Sequence, residues 1–276
     1  MSTSTLFSDL SERVSGLLAG NSRISSGRIL NILSIIGGVI LWEAAARAFG
    51  VVILAPPSSV AESFIELMVS LALPMAIFGS LQALVVGYLI AAFIAIPLGF
   101  LIAQSKYVLW ALDPYIDAVY TAPPIVYLPL VVVWFGLGFE ARVFFVFIFS
   151  FFEILLNTYQ GITTVKDDHL ITAQSFGASW WQTQSRVIFP ASIPFIFTGL
   201  RLGIGRAVRG VIVAELFLRL VNLGQLLQSS NAVLNTSIQF AVVITIAILG
   251  IFLQQIVAEV RKLVAPWDSH GEQRGA

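Results

Sequence analysis

Residues 165–190 form the longest polar interval between two strongly apolar runs in this 276-residue chain. Apolar runs of about 20 residues can cross a bilayer only as helices, because every backbone group must find its partner inside the segment. The polar interval cannot reside there. It opens on Lys166, Asp167 and Asp168, carries Gly177 near its middle and ends at Pro190. A simple connection between two membrane helices needs only a few residues. An interval of this length, with helix signals of its own, reads as a docking surface on one side of the membrane. Asp168 is the expected N-cap of a short helix over 169–175, and Gly177 is its expected stop. Ser179 starts a second helix to about Val187, and Pro190 and Pro194 mark the return to the membrane.

The chain is 58% hydrophobic and only 11% charged, whereas soluble domains are near a quarter charged. Its formal net charge of zero gives no reason to expect a nucleic-acid partner. Without cysteine, it has no disulfide framework, thiolate metal site or cysteine nucleophile. Residues 1–27 show no long apolar core ending in a cleavage site. There Leu6, Phe7, Leu10, Val14, Leu17 and Leu18 recur at helical spacing among polar residues, the pattern of an amphipathic helix on the membrane surface. A frayed polar tail is the alternative.

Six spans are expected, over about 28–49, 74–103, 110–135, 141–158, 193–217 and 238–260. The segment 1–27 precedes them. The first span and its extracytoplasmic extension occupy 28–70, the membrane core 71–262 and a short polar tail 263–276. Ser59 is placed as the cap of a short helix in that extension, and Glu43 is expected to pair with Arg47 one turn on. The third span contains Pro114, Pro123, Pro124 and Pro129, so it is not one straight helix. Broken helices are tolerated where they pack on protein or line a cavity. Pro123 and Pro124 are therefore candidates for lining a path, with a kinked packing helix as the other reading. Residues 221–235 read as an amphipathic surface or re-entrant segment.

Loop cations set the orientation. Arg13, Arg23, Arg28, Lys106, Lys166, Arg186, Arg201, Arg261, Lys262 and Arg274 fall on the side of the termini and the polar interval. Arg47, Arg142 and Arg219 fall on the other. Both termini and residues 165–190 are thereby expected in the cytoplasm.

The chain has no phosphate loop of the G-x-x-x-x-G-K-[ST] type. Gly203, Gly205 and Gly210 lie inside an apolar run, and with Gly199 they provide a G-x-x-x-G for close helix packing. His169 and His270 are far apart and unsuited to a joint metal site. No nucleophile elbow or paired carboxylates stand out, so no enzyme is expected.

Charges at membrane depth are the exceptions to explain. Arg206 and Arg209 stand three apart in the fifth span. Each costs about 2.5–3.5 kcal/mol at the bilayer centre and should face protein or water. They either attract an anionic substrate or pair with acids such as Glu153. Glu215 either pairs with Arg219 one turn on or sits at the mouth of a path. Gln82, Asn157 and Gln160 are candidates for hydrogen bonds between helices.

The segment 171–190 resembles the cytoplasmic loop of ABC importer permeases, Glu-Ala-Ala, then Gly, then Ile-x-Leu-Pro. Ala173, Gly177, Val187, Phe189 and Pro190 match its second alanine, glycine, isoleucine, leucine and proline. Ile171 and Thr172 stand where the family has glutamate and the first alanine. The runs LAPPSSV from Leu54, TAPPIVYLPLVVVWFGLG from Thr121 and GLRLGIGRAVRGVIVAEL from Gly199 look like the nitrate, sulfonate, taurine and bicarbonate branch.

This resemblance implies an all-α integral membrane protein of the type I importer fold, with a five-helix core plus the N-terminal helix. Two permease subunits, a homodimer by expectation, would form the path in the lipid bilayer of the bacterial inner membrane. Each would dock Asp168, His169, Thr172, Ala173, Gln174, Phe176, Gly177 and Pro190 on a separate ATPase dimer. ATP and Mg would bind that partner, with no cofactor on this chain. An extracytoplasmic substrate-binding protein would deliver a small anion. A stand-alone secondary transporter or channel is the alternative; no clear pair of internal repeats supports it.

Overall fold

The computed structural model describes residues 30–50, 53–218 and 221–268, and its regular secondary structure is helical throughout. The helix expected over 1–27, Arg219 and the tail beyond 268 lie outside the described residues. The chain divides into two compact units, residues 1–63 and 64–276.

In the first unit, helix α1, Leu30–Phe49, is long and apolar enough to span a membrane. Glu43 accepts from Arg47 Nη2 at 2.6 Å, the expected pair one turn apart. It also accepts from Ser58 N at 3.2 Å and Ser58 Oγ at 2.9 Å. Helix α2, Pro57–Val69, therefore begins two residues before Ser59. Proline supplies its first residue, where no amide hydrogen is needed, and the Glu43 carboxylate from α1 takes the capping role expected of Ser59.

The second unit begins within α2 and adds α3, Ala72–Ala103; α4, Lys106–Thr121; α5, Leu128–Phe135; and α6, Phe139–Thr163. The polar segment contributes α7, Asp167–Ser175, and α8, Trp180–Thr183. Helices α9, Phe189–Phe217, α10, Asn222–Ala232, and α11, Thr236–Val264, complete it. Leu71, with φ 60°, turns the chain between α2 and α3.

Glycine sets how closely these helices approach. In a bilayer the apolar side chains gain little by leaving lipid, so association rests on packing at short range. A Cβ added at Gly199 would lie 2.8 Å from Asn157 Cβ, and one at Gly203 would lie 2.9 Å from Ile154. Gly210 faces Phe149, and Gly161 of α6 faces Phe195 of α9. The G-x-x-x-G expected from the sequence thus packs α9 against α6. The matched positions run 161 with 195, 157 with 199 and 149 with 210, so the two helices are antiparallel. Gly87 meets Val146 and Gly99 meets Thr158, so α3 runs parallel to α6. The ends of α3 and α6 and the start of α9 consequently share one side with the polar segment. The core cluster fills the space between, with Leu84, Ala91, Ile154, Leu155, Ala207 and Val211 buried.

The count of spans differs from the six expected. Among the described residues, four helices are long and apolar enough to cross a membrane, or five if the bent pair 107–121 and 124–135 is one span. Helix α6 is the one left out. It carries Glu140, Arg142 and Glu153, and α3 and α9 cover it on two sides, so protein shields what lipid would not accept.

Candidate functional site

Within the polar segment, α7 begins at Asp167 with Lys166 as N-cap. Asp168 therefore lies in the first turn and is not the cap. Asp167 and Asp168 together favour this end through the helix dipole, and His169 N donates to Lys166 O at 3.0 Å. At the other end Gly177 has φ 72°. Gly177 N donates to Gln174 O at 2.9 Å and Ala178 N to Ala173 O at 3.0 Å. These two bonds define a Schellman stop, which needs a left-handed residue at Gly177.

Helix α8 starts as expected at Ser179. Ser179 Oγ accepts from Gln182 N at 3.4 Å, while Gln182 Oε1 accepts from Ser179 N at 2.8 Å, a reciprocal capping box. The two prolines do not end it. A π-helical turn, Gln184–Ile188, carries the helix into α9, and 180–217 passes as one span of 38 residues. The widened turn closes with Phe189 N on Gln184 O, and Pro190, next along, has no amide hydrogen to place.

This segment is polar in sequence yet presents bulky apolar groups. Ile171 is 60% exposed, Trp181 75% and Phe176 87%. None of the residues of α7 is buried. A nine-residue helix is marginal by itself in water, so its rigidity rests on the acidic first turn and the Gly177 stop.

Charged groups collect in α6 and α9. Arg206 Nη2 lies 2.7 Å from Glu153 Oε1, and the Tyr120 hydroxyl donates to the same oxygen at 3.4 Å. Of the two roles open to Arg206, the ion pair with Glu153 is the one observed. Arg209 is exposed and has no ion-pair or hydrogen-bond partner among the described residues.

Glu215 is fully buried. It accepts from Ser80 Oγ at 2.8 Å, Asn222 Nδ2 at 2.9 Å and Gly224 N at 3.2 Å. Its ion-pair partner among the described residues is Arg142 at 3.6 Å; the expected partner Arg219 lies outside them. Sequence spacing could not point to Ser80 or Arg142, which reach Glu215 from other helices. Asn157 likewise corrects an expectation: its amide donates to Glu153 O at 2.7 Å within its own helix. Pro123 and Pro124 lie in a break between α4 and α5 at which the axis bends by 95°. Pro123 holds φ −58° and ψ 123°, and Tyr127 Oη donates to Val119 O at 3.3 Å. The break satisfies part of its own backbone.

Residues 95–265 match the family of binding-protein-dependent transport system inner membrane components. A Brucella melitensis protein, described as a probable ABC transporter permease, is 31% identical over 90% of this chain and 100% of its own length. The taurine transport system permease of Escherichia coli is 33% identical over 70% of each chain. The nitrate import permease of Synechocystis is 34% identical over 69% of each. In fold, the chain is similar to a subunit of an inward-facing methionine ABC transporter, at a TM-score of 0.62 and 16% identity, covering 71% of this chain and 97% of that one. The chain belongs to the family of binding-protein-dependent transport system inner membrane components, as an ABC transporter permease.

Proposed function

We propose that this permease imports a small anion and that its segment 165–190 receives the ATPase on the cytoplasmic side. The supporting observation is α7 itself: a short helix with an acidic first turn and a glycine stop, none of it buried, with Phe176 and Ile171 exposed. A rigid helix with apolar anchors suits insertion into a groove on a soluble partner. Asp168, His169, Thr172, Ala173, Gln174, Phe176 and Gly177 belong to this docking surface. Pro190, at the root of α9, belongs to its hinge with the membrane. ATP and Mg bind the partner ATPase dimer, and this chain holds no cofactor.

Loop cations support a cytoplasmic position for both termini and for α7. A second copy of the chain completes the path, and an extracytoplasmic binding protein supplies the substrate. Nitrate and taurine, the latter through its sulfonate, are what the named relatives carry, which supports a substrate bearing an oxyanion group here. Pro123, Pro124 and Arg209 are assigned to the path. Glu153 and Arg206 act as a neutral pair beside it, and Glu215 acts as a structural group.

Affinity purification of the tagged chain from detergent-solubilised native membranes tests the reading. A soluble ATPase and an anion-binding extracytoplasmic protein should co-purify or reconstitute with it. A chain that comes alone and moves solute in liposomes without ATP would instead be a secondary transporter.

A further inference from the structure

Arg206 and Arg209 are not equivalent. A bilayer core of about 30 Å takes about 20 helical residues. Counted back from the end of α9 at Phe217, that length reaches Thr198, and its middle falls between Arg206 and Arg209. Arg201 falls near the inner edge, where a long side chain can reach the headgroups. Arg206 is neutralised by Glu153 at 2.7 Å. Arg209, one turn further along, is exposed at mid-depth without a partner among the described residues.

A bare guanidinium cannot face hydrocarbon at that depth, so water, an anion or a second copy of the chain must meet it. The exposed faces of the neighbouring long helices differ in kind. Helix α3 has no charged residue and shows Leu89 and Phe93 to the outside; α11 shows Ile251 and Phe252. On α9, by contrast, Arg206 meets Glu153 and the Tyr120 hydroxyl, the exposed Arg209 follows three residues on, and the Gln254 amide lies against Gly205. One polar exposed surface therefore stands between apolar ones.

We infer that Arg209 is the residue that draws the permeating anion to mid-depth, and that the Glu153–Arg206 pair leaves it as the one uncompensated cation there among the described residues. The inference rests on the anion-importer reading proposed above. It assigns the ligand as a small oxyanion, such as a nitrate, carboxylate or sulfonate group, which the planar guanidinium can hold through two parallel hydrogen bonds. Lysine offers only a point charge and should serve less well.

The chain has no cysteine, so Arg209→Cys introduces its sole thiol. Membranes holding the assembled importer would be treated with the anionic sulfonatoethyl and the cationic trimethylammonioethyl methanethiosulfonates. The R209C thiol should react with both water-borne reagents, and a Phe93→Cys thiol should stay unreactive. Uptake of nitrate or taurine into proteoliposomes with the ATPase and binding protein should fall about ten-fold or more in Arg209→Gln, the loss of one charged contact. Arg209→Lys should fall less, and attachment of the cationic group to R209C should restore part of the uptake.

An R209C thiol as unreactive as F93C, whether it faces lipid or a second copy, overturns the inference. So does a reactive R209C thiol whose cationic modification restores no uptake. The wild-type complex separates the two levels of failure. If it carries no nitrate, sulfonate or carboxylate, the anion reading falls and takes the inference with it. If wild type carries one and R209Q carries it equally, the inference alone falls.

Discussion

Ser80 Oγ lies 2.8 Å from both carboxylate oxygens of Glu215, although 135 positions separate the two in sequence. Asn222, Gly224 and Arg142 complete the shell, so one carboxylate ties α3, α6 and α9 to the start of α10. Space is as tight as bonding there: a Cβ at Gly224 would lie 2.6 Å from Glu215 Cβ. Asn222 reaches the carboxylate with φ 52°, and a Cβ at Gly79 would collide with its side chain. The return of the chain from α9 into α10 is thus shaped around Glu215.

Glu215→Ala should therefore destabilise the protein strongly. Removing the acid leaves the Arg142 side chain, 14% exposed, without its counter-charge, a loss of about 3–5 kcal/mol for a buried pair. Glu215→Gln keeps acceptor and donor capacity for Ser80 and Asn222 and should cost less. Thermal unfolding in detergent would show the order; equal midpoints for wild type and E215A would refute it.

Close packing of α6 on α9 predicts a steric series. Gly199→Val and Gly203→Leu should each cost about 1–3 kcal/mol through overpacking, because their added atoms meet Asn157 and Ile154. Gly37→Ala, in α1, meets nothing within 4 Å and should be neutral or stabilising. Unfolding midpoints that rank G37A below G203L would contradict this account.

The Glu153–Arg206 pair predicts non-additivity. Arg206→Gln strands an acid that is only 12% exposed, so it should lower stability more than the double change with Glu153→Gln does. Arg206 is 46% exposed, so solvent screens the pair and its coupling should be near about 1 kcal/mol. A double-mutant cycle with zero coupling would leave the 2.7 Å contact without energetic weight.

Gly177 predicts a separation between folding and partner docking. Its φ of 72° costs a side-chain-bearing residue about 1–2 kcal/mol. Gly177→Pro cannot adopt it at all and also loses the amide that bonds Gln174 O. Membrane insertion should be unaffected, while ATPase co-purification should fall sharply in G177P and partly in G177A. Replacing Ala173 with a bulky charged residue should have the same outcome. Normal co-purification of G177P would remove α7 from the docking surface.

Much of the site was legible because its signals are local. Gly177 as a helix stop and Ser179 as a helix start need only their neighbours within five residues. Asp168 was misplaced as N-cap because Lys166, Asp167 and Asp168 compete for one helix start, and the chain before α7 decides between them. The continuation through Pro190 was illegible for a similar reason. Proline ends an α-helical ladder by rule, and only the π turn in the three-dimensional backbone shows how the ladder passes it.

What the sequence alone determined is the helical class, the membrane location and the exposed polar segment, because run length, hydropathy and capping chemistry act over a few turns. Tertiary structure decided who meets whom. Glu215 found Ser80 and Arg142, Arg206 found Glu153, and Arg209 remained unpaired among the described residues. Those outcomes depend on the rotation and register of α6 against α9, fixed by glycine contacts between helices far apart in the chain. No local pattern encodes a register between helices, and a charge at mid-membrane takes its role from that register.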